Sequence, residues 1–212
     1  MAEASPPITA RRNAPHQKRS RETVGLILNA AAELLEEVGF EKLSTNMICK
    51  RANLTPPALY RYFPNKYAVL KELGERLMAA QNDLIDDLDI HLSDPAKIET
   101  QIVDLLTATL KVTHEMPAGG WIMRSLHATP ILSDVRRDSH RRVSRALTDR
   151  MLEAWPNLDW KTSYRTNRLG VEMGYALIEM LFDEPELDHI ELIQASASML
   201  AHNLRSLLKN VN

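Results

Sequence analysis

Residues 44–66 read STNMICKRANLTPPALYRYFPNK, and this stretch decides the fold. The hydroxyls of Ser44 and Thr45 can accept hydrogen bonds from the free amides at the start of a helix. Asn53 stands where that helix must stop, because asparagine tolerates the left-handed backbone that ends helices. The pattern predicts a short helix followed by a tight turn.

A second start signal follows at once. Thr55 is a helix cap, and Pro56 occupies the first helical position, where a missing N–H costs nothing. Pro64 ends this helix, because a residue before proline is disfavoured in the α region. Two short helices joined by a tight turn form a helix-turn-helix. The second helix suits a polyanion, since it carries Tyr60, Arg61 and Tyr62, with Lys66 just beyond.

Composition predicts an all-α protein that works in the cytoplasm. The chain has 212 residues, 44% hydrophobic and 25% charged, with no convincing alternating β-branched run. The single cysteine, Cys49, excludes an intramolecular disulfide and fits a reducing compartment. We find no hydrophobic signal region at the amino terminus and no apolar run long enough to span a membrane.

Charge is distributed unevenly along the chain. Residues 1–70 hold 10 Lys and Arg against 6 Asp and Glu, a balance of +4, whereas the remainder of the chain totals −6. A basic headpiece on an acidic body is common among nucleic-acid binders. Residues 1–19 are predicted to be a flexible basic arm that carries Arg11 and Arg12. It is either a solvated tail or an arm that contacts phosphates or the minor groove.

Residues 21–38 are predicted to form an amphipathic helix that backs the helix-turn-helix, with Ser20 as its cap. With this helix included, residues 21–70 resemble the DNA-binding headpiece of the TetR-like bacterial transcriptional repressors. The resemblance rests on the order and spacing of Gly39-Phe40, Leu43-Ser44-Thr45, Ile48, Ala52, Leu54-Thr55, Ala58-Leu59-Tyr60, Tyr62-Phe63, Asn65-Lys66 and Ala68-Val69-Leu70. The sequence departs from the family at Met47, where an acidic residue is usual, and at Asn53, where a glycine is usual.

The resemblance implies roles for residues of the headpiece. Phosphate contacts would come from Thr45, Thr55, Tyr60 and Lys66. The major groove would face Pro56, Pro57, Ala58, Arg61 and Tyr62. Arg61 is the residue of the second short helix able to make a bidentate contact with guanine. The alternatives are that Tyr60 and Tyr62 are core tyrosines and that Arg61 and Lys66 are solvated charges.

The sequence predicts a helix-turn-helix domain over residues 20–66 and a helical ligand-binding and dimerisation domain over residues 67–212, with about nine helices in all. The break at Gly119-Gly120 marks a candidate ligand pocket, since flexible Met and aromatic side chains suit an apolar cavity. The candidate lining is Met116, Trp121, Met123, His127 and Met173, although such residues are also ordinary core residues.

The last two predicted helices, 159–183 and 186–209, carry small residues that let helices approach closely. The resemblance implies that they form a four-helix bundle with a second copy of the chain, through Gly170, Gly174, Leu177, Ile193, Ala197, Leu200 and Leu204. The alternative is that these residues are buried within one chain.

The function that these features indicate is a homodimeric DNA-binding repressor, released from a palindromic operator by a small-molecule ligand. An enzyme is not expected, because no nucleophile elbow, P-loop, dinucleotide motif or His pair at metal-binding spacing occurs. No cofactor and no metal are therefore predicted. The other alternative is a small-molecule-binding helical module whose helix-turn-helix no longer reads DNA.

Overall fold

The computed structural model describes residues 18–90 and 92–209, and within these ranges the chain folds into nine α-helices without a β-strand. This confirms the predicted all-α class. No helix in the described ranges is long and apolar enough to cross a membrane. The α-helices are α1 Lys18–Lys42, α2 Thr45–Arg51, α3 Pro56–Tyr60, α4 Lys66–Asp87, α5 Ile98–Glu115, α6 Gly119–Ala128, α7 Ser133–Ala154, α8 Trp160–Asp183 and α9 His189–Lys209; a 3₁₀ turn spans Pro130–Leu132.

The predicted signals set the ends of the two short helices. Ser44 caps α2 by accepting from the Met47 amide at 3.3 Å, and Asn53 adopts the left-handed conformation with φ 52°. Thr55 has the extended backbone of an N-cap, but its hydroxyl makes no capping hydrogen bond, and Pro56 opens α3. The turn between α2 and α3 is therefore the predicted helix-turn-helix turn.

The first helix differs from its prediction at its beginning. It begins at Lys18, so Ser20 lies inside the helix and does not cap it. Gly39, with φ 72°, interrupts the helical backbone where the helix predicted over residues 21–38 was expected to end, and a short helical segment continues from there to Lys42. Of the predicted basic arm over residues 1–19, only Lys18 and Arg19 fall within the described residues, and both belong to α1.

The described residues divide into two compact units. The first extends to Met78 and also includes His114–Arg136; the second comprises Ala79–Thr113 and everything from Arg137 onward. The first unit is therefore larger than the domain predicted over residues 20–66, because it contains the beginning of α4 and all of α6.

Helix α6 is attached to α1 within the first unit. Its first turn begins at Ala118, whose backbone N–H donates to the Glu36 carboxylate at 2.8 Å. A carboxylate at this position satisfies one of the amides that a helix start leaves free. Behind it, Leu126 of α6 is fully buried and packs on Gly74 of α4.

The second unit is held partly by two arginines that satisfy backbone carbonyls. Arg150 of α7 donates to the carbonyl oxygens of Ile85 at 2.6 Å and Ile90 at 2.9 Å, and it also pairs with Asp86. These contacts close the end of α4. Arg205 of α9 donates in the same way to the Pro95 carbonyl at 2.9 Å.

The contact between Gly74 and Leu126 gives a test of the packing of the first unit. A Cβ at Gly74 would lie 2.7 Å from Leu126 Cδ2, so we expect Gly74→Ala to destabilise the protein by about 1–3 kcal/mol. Gly25 of α1 is the matched control, because a Cβ there has no neighbour within 4 Å. Gly25→Ala should stabilise by about 0.5–1 kcal/mol through helix propensity. Urea titrations would measure both, and equal effects would contradict this packing.

Candidate nucleic-acid interface and internal cavity

Helix α3 has one buried side and one exposed side. Leu59 is fully buried, and Phe63 just beyond the helix is buried with it. Pro56, Pro57 and Tyr60 are exposed on the other side, as are Thr55 at the start of the helix and Arg61 at its end. Ala58 is half-buried. Five of the nine residues predicted to contact DNA are thus exposed.

Two hydroxyl groups meet on this surface. Thr45 Oγ1, at the start of α2, and Tyr60 Oη, at the end of α3, lie 3.0 Å apart in an exposed hydrogen bond. A hydroxyl carries one donor and two acceptor sites, so one proton of the pair remains available to a third group. The pair offers a phosphate oxygen a fixed donor that both short helices position.

Tyr62 corrects the predicted site. Its side chain is only 5% exposed, and its hydroxyl lies 2.9 Å from Ser20 Oγ inside the headpiece. The Arg61 guanidinium covers its ring at 5.7 Å from the centroid. Tyr62 therefore belongs to the core, the alternative that the sequence left open, and it supports Arg61 without facing a groove itself.

Lys66 has an intramolecular role that the sequence did not indicate. Its ammonium donates to the carbonyl oxygens of Phe40 at 3.1 Å and Glu41 at 3.2 Å, and it lies 4.6 Å from the centroid of the Phe40 ring. These contacts satisfy carbonyls at the end of α1. An ammonium has three protons, so one remains for the predicted phosphate contact.

Arg51 of α2 is neutralised by two acidic residues of α1. It donates to Glu33 at 2.9 Å and to Glu37 at 2.6 Å. The hydrogen bond from Arg51 holds the pKa of the Glu37 carboxyl below its ordinary value, and the same carboxylates raise the pKa of Arg51 above its own. This arginine therefore ties α2 to α1 and contributes little net charge to the exposed surface.

Cys49 is a buried core residue of α2. Burial raises the pKa of its thiol, which disfavours the reactive thiolate. In the part of the chain that the structure describes, no group of three His, Cys, Asp or Glu side chains could hold a metal ion.

A cavity of about 130 Å³ lies within the second unit. Side chains of α4, α5, α7, α8 and α9 line it, among them Asn82, Gln101, His140, Asn167 and Tyr175. Sequence reasoning missed these residues. A signal was present, because Ser139 and Asn167 are polar residues on the buried faces of α7 and α8.

The residues predicted to line a pocket do not line this cavity. Four of them, Met116, Trp121, Met123 and His127, belong to the first unit. Met123 is buried there, and Trp121 is 37% exposed, with the Arg124 guanidinium 5.0 Å from its ring centroid. The fifth, Met173, is exposed on α8. A ligand at those five residues stays a prediction.

One wall of the cavity is backed by an ion-paired carboxylate. Glu172 lies 3.1 Å from His140 Nδ1 and 2.5 Å from Arg168. Burial acts to raise the pKa of Glu172, but hydrogen bonds from His140 and Arg168 outweigh it, so that pKa lies below its ordinary value. The ring of Tyr175 meets His140 edge-on, with centroids 4.6 Å apart.

The residues predicted to form the dimer interface are mostly buried within the single chain. This holds for Gly174, Leu177, Ile193, Ala197 and Leu204. The two glycines do admit close neighbours, but in the same chain: a Cβ at Gly170 would lie 3.6 Å from Leu200, and one at Gly174 would lie 3.1 Å from Leu106. Gly170 and Leu200 are half-buried.

A different set of apolar residues is exposed on α8 and α9. On α8 these are Leu169, Met173 and Ala176, which follow one another at helical spacing. On α9, Met199 is 58% exposed. The apolar surface that α8 and α9 leave uncovered is therefore separate from the small residues predicted to form the interface.

Comparison with known proteins identifies the headpiece. Residues 27–73 match the family model described as bacterial regulatory proteins, tetR family. The class A, C, D and G tetracycline repressors match over 52 to 57 residues; the class G protein of Vibrio anguillarum is 41% identical over 54 residues, 26% of each chain. The matched region thus spans about a quarter of the length of these curated relatives.

Two longer similarities extend beyond the headpiece. The HTH-type transcriptional regulator UidR of Escherichia coli is 25% identical over 169 residues, which cover 76% of this chain and 83% of UidR. A TetR-family transcriptional regulator from Syntrophomonas wolfei superimposes with a TM-score of 0.68 at 14% identity, covering 87% of this chain and 95% of the other. The molecule is thus a helix-turn-helix headpiece joined to a helical body. Its headpiece sequence is similar to the tetR family model, and its fold is similar to that of the Syntrophomonas wolfei protein.

The hydroxyl pair of Thr45 and Tyr60 can be tested by removing one oxygen. We expect Tyr60→Phe to weaken DNA binding by about 0.5–1.5 kcal/mol per headpiece, the usual contribution of one hydrogen bond. The exposed position should leave the melting temperature unchanged. Fluorescence anisotropy on a labelled operator measures the affinity. Tyr164→Phe on α8 is the control; if it weakened binding equally, the assignment to the hydroxyl pair would be wrong.

Proposed function

We propose that this protein is a homodimeric, sequence-specific DNA-binding regulator, and that it represses transcription. The observation that carries the proposal is the surface of α3: Leu59 and Phe63 are buried behind it, while Tyr60, Arg61 and the hydroxyl of Thr45 lie exposed together. A rigid helix that presents hydroxyl and guanidinium donors suits the major groove and its flanking phosphates. The name of the matching tetracycline repressors supports repression as the mode of action.

A second copy of the chain completes the proposal. The exposed apolar residues of α8 and α9 supply a surface that two-fold symmetry would cover, and symmetric dimers are the commonest oligomers. Two headpieces would then read the two half-sites of a near-palindromic operator in the cytoplasm. A small molecule bound in the body would release the repressor if it binds the DNA-free state more tightly.

The experiment that tests the function is selection of bound fragments from random duplex DNA, followed by affinity measurements over a range of salt. We expect enrichment of a two-fold symmetric sequence and a steep fall in affinity with salt, because phosphate contacts release counterions. Recovery of no preferred sequence would instead support the alternative, a small-molecule-binding module whose helix-turn-helix does not read DNA.

Arg61 is expected to supply the main base contact. Arg61→Ala should lower the preference for one base pair in each half-site by about 1–3 kcal/mol and leave the remaining preferences unchanged. Arg145→Ala, which removes an exposed arginine of α7, is the matched control for charge. The selected sequences of the two variants are compared; if Arg61→Ala keeps the original preference at every position, Arg61 does not read bases.

The proposed dimer surface predicts that a charge at Met199 opposes assembly. Met199→Glu should raise the dimer dissociation constant at least about tenfold, because a carboxylate would lose its solvent in the interface. Gln194→Glu adds the same charge at an exposed polar position of α9. Sedimentation equilibrium at several concentrations measures both. A Met199→Glu protein that remains as dimeric as the control would exclude this surface.

A further inference from the structure

The wall of the cavity in the second unit combines a mainly apolar surface with a small number of polar side chains. Most of the lining surface is apolar, with Ile102, Leu106 and Val143 as examples, and its polar side chains are amides, hydroxyls and His140. Among the residues that the structure describes, no Lys, Arg, Asp or Glu lines it. The imidazole of His140 already faces the Glu172 carboxylate at 3.1 Å, so an ionised ligand would lose its hydration here without gaining an unpaired counter-charge, which is costly.

Asn167 presents an acceptor to this cavity, and a chain of hydrogen bonds fixes its orientation. Thr148 donates its only hydroxyl proton to the Ser144 carbonyl at 2.7 Å, so toward Asn167 it can only accept. The Asn167 amide nitrogen donates to this hydroxyl at 3.1 Å. The Asn167 amide oxygen therefore points away from that bond and remains as an acceptor.

Two further amides present donors. The Leu92 backbone N–H donates to Gln101 Oε1 at 3.1 Å; since a backbone N–H cannot accept, the oxygen of Gln101 must face it and its amide nitrogen faces elsewhere. Asn82 Oδ1 likewise accepts from Ser139 Oγ at 2.8 Å. Among the described residues, the amide nitrogens of Asn82 and Gln101 have no further partner.

We propose that this cavity binds a compact, uncharged molecule with an apolar body and a polar end that both donates and accepts hydrogen bonds. The Asn167 oxygen receives the ligand's donor, and the amide nitrogens of Asn82 and Gln101 supply its acceptor. This inference rests on the proposed function only in treating the ligand as the molecule that regulates DNA binding. Binding itself is measured without DNA, so its failure would leave the DNA-binding proposal standing.

The volume sets the size class of the ligand. A cavity of about 130 Å³ is similar to an apolar cavity of about 150 Å³, in another protein, that binds benzene. One substituted six-membered ring therefore matches the space. Benzamide is a suitable probe, because its amide group donates and accepts while the molecule stays neutral.

The first experiment compares three near-isosteric probes by titration calorimetry on the full chain. Neutral benzamide, anionic benzoate and cationic benzamidinium differ mainly in charge. We expect benzamide to bind at least about tenfold more tightly than either ion, because burial of an unpaired charge costs more than 1.4 kcal/mol. Equal or tighter binding of an ion overturns the proposal. So does the absence of benzamide binding at about 10 mM, which corresponds to roughly −3 kcal/mol.

The second experiment tests the polar contact with variants. Asn167→Leu should weaken benzamide binding about threefold to tenfold. Toluene forms no hydrogen bond, so its dissociation constant should change by less than about twofold. Asn157→Leu, an exposed loop position outside the cavity, should change neither. Circular dichroism establishes that each variant is folded; if Asn167→Leu is not, Asn82→Leu replaces it. An equal loss for benzamide and toluene would mean that the amides do not select the ligand.

Discussion

Burial of Ile48, Leu59 and Phe63 is the constraint on which the headpiece depends. Helices α2 and α3 have seven and five residues, far fewer than the dozen or more that an isolated helix needs in water. They exist because these three fully buried side chains pack into the core of the first unit. The packing that holds these side chains also orients the exposed side of α3. The core therefore determines the positions of Tyr60 and Arg61.

The sequence predicted this arrangement well where the signal was local. Asn53 has the left-handed backbone of the turn, and Pro56 occupies the first position of α3. Both residues affect only the backbone close to them in the sequence. It failed where a side chain's role depends on distant partners. Tyr60 and Tyr62 are two residues apart near a helix end, and the sequence does not show which of them is buried. The structure shows that Tyr62 is buried, where its hydroxyl is hydrogen-bonded to Ser20 of α1. Lys66 likewise donates to the carbonyl oxygens of Phe40 and Glu41, which lie more than twenty residues earlier in the sequence.

The second unit illustrates the same limit for binding surfaces. The Met and Trp residues around a glycine pair indicated a pocket, but four of the five candidate residues belong to the first unit and not to the second, which contains the cavity. The cavity instead combines polar residues from five helices, and no spacing rule connects Asn82, Gln101 and Asn167. Small residues on α8 correctly indicated close helix approach, yet sequence could not tell a neighbour in the same chain, such as Leu106, from a partner's helix.

The composition of α3 supports the proposal that two copies of the chain bind DNA together. Its exposed face opens with two prolines, and with Tyr62 buried, Arg61 is the one residue of the predicted groove-facing set with several donors. A bidentate contact discriminates by about 1–3 kcal/mol, whereas specific regulators exceed their non-specific binding by about 4–10 kcal/mol. The base contact of one headpiece therefore supplies less discrimination than a specific regulator needs. Two such contacts together supply about 2–6 kcal/mol, which reaches only the lower part of that range. In the proposed dimer, the remainder would come from half-site spacing and DNA shape, read through the phosphates that Thr45 and Tyr60 are proposed to contact.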